Sequence, residues 1–202
     1  MTKIKLCGLS RLYDIAAVNV LLPEYVGFVF VEKSKRYVSP ERAAELKSLL
    51  HPVVQVVGVF ANAAPETVAA LLCRGTIDIA QLHGDEDEDY IRRLRMLSTG
   101  PIIQAFKIRS EEDVRLVEQS SADFVLLDSG AGTGAVFDWN LLKNIHRPYF
   151  LAGGLGIDNV ENAIGALHPY AVDASSGVET DGFKDRMKMA EFVSAVRKEE
   201  QK

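Results

Sequence analysis

Eight short apolar runs recur along this 202-residue chain, and nothing else in it restricts the fold so closely. They are KIKLC from Lys3, YVGFVF from Tyr25, QVVGVF from Gln55, IDIAQLH from Ile77, PIIQAFK from Pro101, DFVLLD from Asp123, YFLAGG from Tyr149 and YAVDASS from Tyr170, with starts 21 to 30 residues apart. Runs this apolar suit strands covered on both faces, as in a parallel sheet. The spacing leaves room for one helix in each repeat. The intervening segments have helical periodicity: SPERAAELKSLL from Ser39, APETVAALLCRG from Ala64, DEDEDYIRRLRML from Asp85 and SEEDVRLVEQS from Ser110. Ser39 before Pro40 reads as an N-cap followed by a first-turn proline, and Ser110 with Asp113 partly resembles a capping box. Eight βα units without a break in composition predict one domain, a single (β/α)8 TIM barrel. They fit it better than an open doubly wound sheet, which the count alone does not exclude.

A hydrophobic content of 48% supports one real core. The formal net charge of -5 offers no general attraction to a polyanion, so nucleic acid is not an expected partner. The N-terminus MTKIKLCGLS has no apolar run of signal-peptide length, and no uncharged stretch nears the roughly 20 residues of a membrane span. The expected location is the cytoplasm, with no membrane partner. Two cysteines, Cys7 and Cys73, are too few for a disulfide framework and have no zinc-ligand spacing around them.

In such a barrel, chemistry sits at the C-terminal strand ends and in the loops that follow. The residues found there are Cys7, Arg36, Gln81 with His83, Asp128 followed by Gly130, Gly132 and Gly134, the pair Gly153–Gly154, and Ser175–Ser176–Gly177. Taken alone, Cys7 is either a small core filler or a working thiol, and Asp128 either a turn former or a working carboxylate. His83 is either a satisfied histidine or a participant. Cys73, inside a helical segment, reads as a buried filler. The acidic run Asp85 to Asp89 reads as a solvated helix start favoured by the helix dipole, and Trp139 as a packing residue. The small-residue loops after the seventh and eighth runs are suited to bind phosphate through backbone N–H groups, with help from a helix N-terminus. The ligand is therefore expected to carry a phosphate.

The segments KIKLCGLS, RYVSPE, VVGVF, QLHG, LLDSGAGTGAVFDW, LAGGL, VDASSGVE and GFKD, in order from Lys3 to Asp185, resemble the phosphoribosylanthranilate isomerase family over nearly the whole chain. The resemblance implies a (β/α)8 barrel without cofactor or metal. It implies an Amadori rearrangement of N-(5-phosphoribosyl)anthranilate to 1-(2-carboxyphenylamino)-1-deoxyribulose 5-phosphate in tryptophan synthesis. It places the general base at Cys7, the general acid at Asp128 and the anthranilate-carboxylate contact at Arg36. Phosphate contacts fall on Gly153, Gly154, Ser175 and Ser176, and Gln81 and His83 line the pocket. The acid has to stay partly protonated, which an apolar strand end favours, and the thiol needs cationic help toward the thiolate. Lys5 either gives that help or pairs with Asp173 inside the barrel. The implied partner is the small phosphoribosyl substrate, and the chain is a monomer or a homodimer.

Ser10 stands where the family often has threonine, Ala131 interrupts a loop often richer in glycine, and Gly156–Ile157 replaces a usual proline before the next helix. Without that proline the helix start is expected to be less rigid. Two rivals remain. The histidine-pathway ProFAR isomerase runs the same rearrangement with two aspartates, against which Cys7 argues. A catalytically silent phosphosugar-binding barrel would bind ligand without turnover.

Overall fold

The computed structural model describes residues 1–128, 139–143 and 145–199. Eight parallel strands close into a barrel in sequence order: β1 (Lys3–Cys7), β2 (Tyr25–Val29), β3 (Gln55–Phe60), β4 (Ile79–Leu82), β5 (Ile102–Lys107), β6 (Phe124–Asp128), β7 (Tyr149–Ala152) and β8 (Ala171–Ala174). Closure is made by β1 against β8, with Lys3 to Leu6 in register with Ala171 to Ala174. Among the described residues the helices are α1 (Leu12–Leu21), α2 (Pro40–Ser48), α3 (Pro65–Cys73), α4 (Glu88–Leu97), α5 (Glu111–Gln119), α6 (Trp139–Leu142), α7 (Val160–Leu167) and α8 (Arg186–Glu199). A short antiparallel hairpin, β9 (Glu179–Thr180) and β10 (Phe183–Lys184), stands between β8 and α8. The eight apolar runs are the eight barrel strands, as the repeat predicts.

Successive side chains of a strand alternate between the helix layer and the barrel interior. Ile4 and Leu6, Val125 and Leu127, and Val172 and Ala174 belong to the large outer core between strands and helices. A separate cluster of Tyr25, Val57, Ile79, Ile103, Leu126 and Phe150 fills the interior. Above it Cys7 packs with Val29 and Val59. The same alternation therefore sends Lys5, Gln81, Asp128 and Asp173, hidden within apolar runs, to the inside.

The capping predictions are met. Ser39 accepts from Arg42 N–H with Pro40 in the first turn of α2, and Ser110 and Asp113 form a reciprocal capping box at α5. Such caps contribute on the order of 1 kcal/mol each. Two readings need correction. Cys73 is exposed at the end of α3, because the apolar face of that helix runs through Val68, Ala69 and Leu71. The acidic run is not wholly solvated either: Asp87 caps α4, but Glu86 is buried and accepts the backbone N–H groups of Asn62 and Gly84. Spacing cannot distinguish a carboxylate that braces two loops from one that faces water. Gly130, Ala131, Gly132, Gly134 and the side chain of Trp139 lie outside the described residues.

Candidate active site

One cavity of about 560 Å³ opens at the C-terminal mouth of the barrel, and it is lined by all nine residues expected there: Cys7, Arg36, Gln81, His83, Asp128, Gly153, Gly154, Ser175 and Ser176. Six strand ends contribute these nine, so residues far apart in sequence converge only because the barrel closes. A second cavity of about 530 Å³ lies where α3 and α4 end, around Cys73 and Arg95. Its arginine is committed to the Gly100 carbonyl and to Asp123.

Cys7 ends β1 and is 8% exposed. Room for its sulfur comes from Gly27 on β2, where a Cβ would stand 2.6 Å from Sγ. Beneath it, Lys5 is fully buried and bonds Asp173 at 2.8 Å, and it also interacts with Cys7, so the ion pair and the cationic pull on the thiol coexist. Burial works to lower the Lys5 pKa, but the charges of Asp173 and Cys7 outweigh it and the amine is held above its ordinary value. Cys7 departs from expectation. Burial pushes its thiol up, and although the positive charges of Lys5 and Lys184 pull the other way, the net direction is upward. A cation is at hand, yet the desolvation of a sulfur inside the barrel exceeds its effect.

Asp128 occupies the last inward position of β6. Its Oδ2 is 3.5 Å from His83 Nε2. His83 follows β4, and its Nδ1 is 2.9 Å from the amide nitrogen of Gln81. The contact with Gln81 at Nδ1 orients the ring so that Nε2 is the nitrogen facing Asp128.

After β7, Gly153 and Gly154 have φ of 94° and 69°, left-handed values open to glycine at little cost. Asn159 braces this loop, its Oδ1 accepting from Gly156 N–H at 2.9 Å and its Nδ2 donating to the Gly154 carbonyl at 3.0 Å. These bonds hold the segment before α7 where the family's proline is missing. After β8, Ser175 Oγ donates to the Cys7 carbonyl at 3.1 Å, and Gly177 bridges to Gly156. No helix intervenes between β8 and β9, whereas the loop after β7 leads into α7.

Arg36 lines the cavity but also forms a two-bond pair with Glu179, at 2.6 and 2.8 Å. Glu179 and Lys184 were not singled out from sequence, although both lie in the segments VDASSGVE and GFKD. Burial would raise the Glu179 carboxyl, but hydrogen bonds from Arg36 and Lys184 hold it down at about 2. Among the described residues no cluster of three or more His, Cys, Asp or Glu could hold a metal ion. No described helix is long and apolar enough to cross a membrane.

A closed (β/α)8 barrel that gathers a thiol, a carboxyl and an arginine around one cavity at its C-terminal mouth has the arrangement of a barrel enzyme. The family described as N-(5'phosphoribosyl)anthranilate (PRA) isomerase matches residues 4–195. The N-(5'-phosphoribosyl)anthranilate isomerase of Clostridium acetobutylicum is 45% identical over 207 aligned residues, covering 98% of this chain and 99% of that protein. The crystal structure of phosphoribosyl anthranilate isomerase from Thermotoga maritima superposes with a TM-score of 0.88 at 35% identity, over 98% of this chain and 100% of that one. A phosphoribosyl anthranilate isomerase in complex with reduced 1-(o-carboxyphenylamino)-1-deoxyribulose 5-phosphate gives 0.86 at 34% identity, with the same coverage. This chain belongs to the phosphoribosylanthranilate isomerase family of tryptophan biosynthesis, whose reaction converts N-(5-phosphoribosyl)anthranilate to the aminodeoxyribulose phosphate.

Proposed function

We propose that Cys7 is the general base and Asp128 the general acid of this isomerisation. The observation that carries the assignment is their convergence, from β1 and β6, on one cavity that also holds Arg36 and the two glycine–serine loops. Asp128 delivers its proton to the furanose ring oxygen as the bond from that oxygen to C1′ breaks. The lone pair of the anthranilate nitrogen forms the C1′=N bond of a Schiff base. The Cys7 thiolate then removes the proton from C2′, and the electron pair moves to give an enolamine. Tautomerisation at C1′ and C2′ yields the ketone, so atoms and charge balance without an external oxidant or reductant. His83, oriented by Gln81, holds the Asp128 carboxyl toward the ring. Arg36 grips the anthranilate carboxylate, because a guanidinium fork matches a planar carboxylate. Gly153, Gly154, Ser175 and Ser176 hold the phosphate through backbone N–H groups and hydroxyls.

The chain forms a single domain, acts in the cytoplasm on a free small molecule as a monomer or homodimer, and has no nucleic-acid or membrane partner. Its charge of -5 supports this reading. The test is a fluorescence assay following consumption of phosphoribosylanthranilate by the purified protein. Turnover that falls on the order of 10²-fold or more in Cys7→Ser and Asp128→Asn is expected. Binding without turnover in the parent would overturn the assignment in favour of a silent phosphosugar-binding barrel.

A further inference from the structure

Arg36 does not stand alone at the cavity wall. Its Nε and Nη2 donate to the two oxygens of Glu179, so one whole edge of the guanidinium is engaged. Its stem lies against the backbone of Gly8, where a Cβ would come within 2.4 Å of Arg36 Cδ. Glu179 is fixed in turn. Its Oε1 accepts from Lys184 Nζ at 2.6 Å, and the same buried amine donates to the Ser175 carbonyl at 2.9 Å. The side chains of Glu179 and Lys184 are only 6% and 1% exposed. A chain of contacts therefore runs from the loop after β8, through Lys184 and Glu179, to the arginine after β2.

The chemistry of that chain is directional. A guanidinium carries five N–H groups in a rigid fork. With Nε–H and one Nη2–H committed to Glu179, the edge that remains is the end formed by the two Nη groups, which offers two parallel donors to a carboxylate. We infer that Glu179, locked by Lys184, is the positioning residue for Arg36: it occupies the side edge, presents the end edge to the cavity and thereby selects a ligand bearing a planar carboxylate. The inference rests on the assignment of Arg36 to the anthranilate carboxylate. Without Glu179 the arginine regains rotamer freedom, and the ligand has to order it on binding. With hydrogen bonds from Arg36 and Lys184 holding the Glu179 carboxyl down at about 2, the pair stays charged at neutral pH.

The test compares parent, Glu179→Gln, Arg36→Met and the double variant R36M/E179Q. Each is measured for kcat and KM and for inhibition by 2-aminobenzoate, which carries the carboxylate alone, and by inorganic phosphate. Glu179→Gln is expected to raise KM and weaken 2-aminobenzoate inhibition about tenfold, the upper range for ordering one long side chain. Its kcat and its inhibition by phosphate should stay within about threefold of the parent, and the double variant should lose nothing beyond Arg36→Met, since Glu179 acts only through Arg36. If Glu179→Gln does not fold, the comparison uses Glu179→Asp, which keeps a counter-charge for Lys184 but shortens the reach to Arg36. Unchanged 2-aminobenzoate inhibition in the Glu179 variant, or equal losses for both inhibitors, overturns the positioning role. Unchanged 2-aminobenzoate inhibition in Arg36→Met instead overturns the Arg36 assignment, whatever the Glu179 variant shows.

Discussion

Replacing Gly27 by alanine tests whether the position of one sulfur atom limits this enzyme. The added Cβ would stand 2.6 Å from Cys7 Sγ and 3.2 Å from Cys7 Cβ. Ordinary carbon contacts need about 3.5–4.0 Å, so the sulfur has to move by roughly 1 Å. The backbone cannot retreat, because Cys7 is paired with Gly27 in the sheet and the N–H groups of Gly8 and Leu9 both donate to the Gly27 carbonyl. The strain falls on the Cys7 side chain. Overpacking of this kind costs about 1–3 kcal/mol of stability, and a misplacement of about 1 Å at a reacting group costs on the order of 10²-fold in rate. Gly58→Ala is the control: its Cβ would meet Ile77 Cδ1 at 2.8 Å, in the layer facing the helices and away from the cavity. Urea unfolding should show a loss in both variants, while initial rates from substrate fluorescence should fall about 10²-fold only in Gly27→Ala. A Gly27→Ala enzyme within about threefold of the parent kcat, or a Gly58→Ala enzyme slowed as much, would refute the reasoning.

Cys7→Ser and Asp128→Asn should each lower kcat/KM on the order of 10²-fold or more while leaving the fold intact by circular dichroism. The parent profile of kcat/KM against pH should be bell-shaped, with limbs that belong to the coupled pair. Because burial holds the Cys7 thiol above its ordinary value, the thiolate absorbance that parent shows and Cys7→Ser lacks should appear only on the alkaline side of an ordinary thiol; Cys7 thiolate already formed at neutral pH would contradict this. Inorganic phosphate at millimolar concentration should raise the melting temperature by linkage, and Gly154→Pro, which cannot adopt the φ of 69°, should abolish the shift. Glu179, whose folded pKa of about 2 lies below its ordinary 4.5, contributes stability that is full above about 4.5 and is lost as pH falls toward 2. Urea midpoints of Glu179→Gln should therefore vary less over that acid range than those of the parent.

The sequence by itself determined the repeat, and the repeat favoured a barrel over an open doubly wound sheet without excluding the latter. Eight apolar runs separated by helical segments can bury both faces of their strands only in a closed or doubly covered sheet. The strand ends then marked Cys7, Arg36, Gln81, His83, Asp128 and the two glycine–serine loops, because in a barrel every C-terminal end reaches the same mouth. Local chemistry was equally legible at Ser39 and at Ser110 with Asp113, since a cap depends on residues three positions apart. What pairs across the barrel was decided by the tertiary structure. Glu86 looks like one acid in a solvated run until the loops of Asn62 and Gly84 close over it. Cys73 looks apolar until the turn of α3 carries it outward. The bond from Arg36 to Glu179 spans 143 residues, and the one from Lys5 to Asp173 spans 168. The resting direction of the Cys7 thiol depends on the balance of burial against Lys5 and Lys184, and that balance exists only once the strands have closed and excluded water.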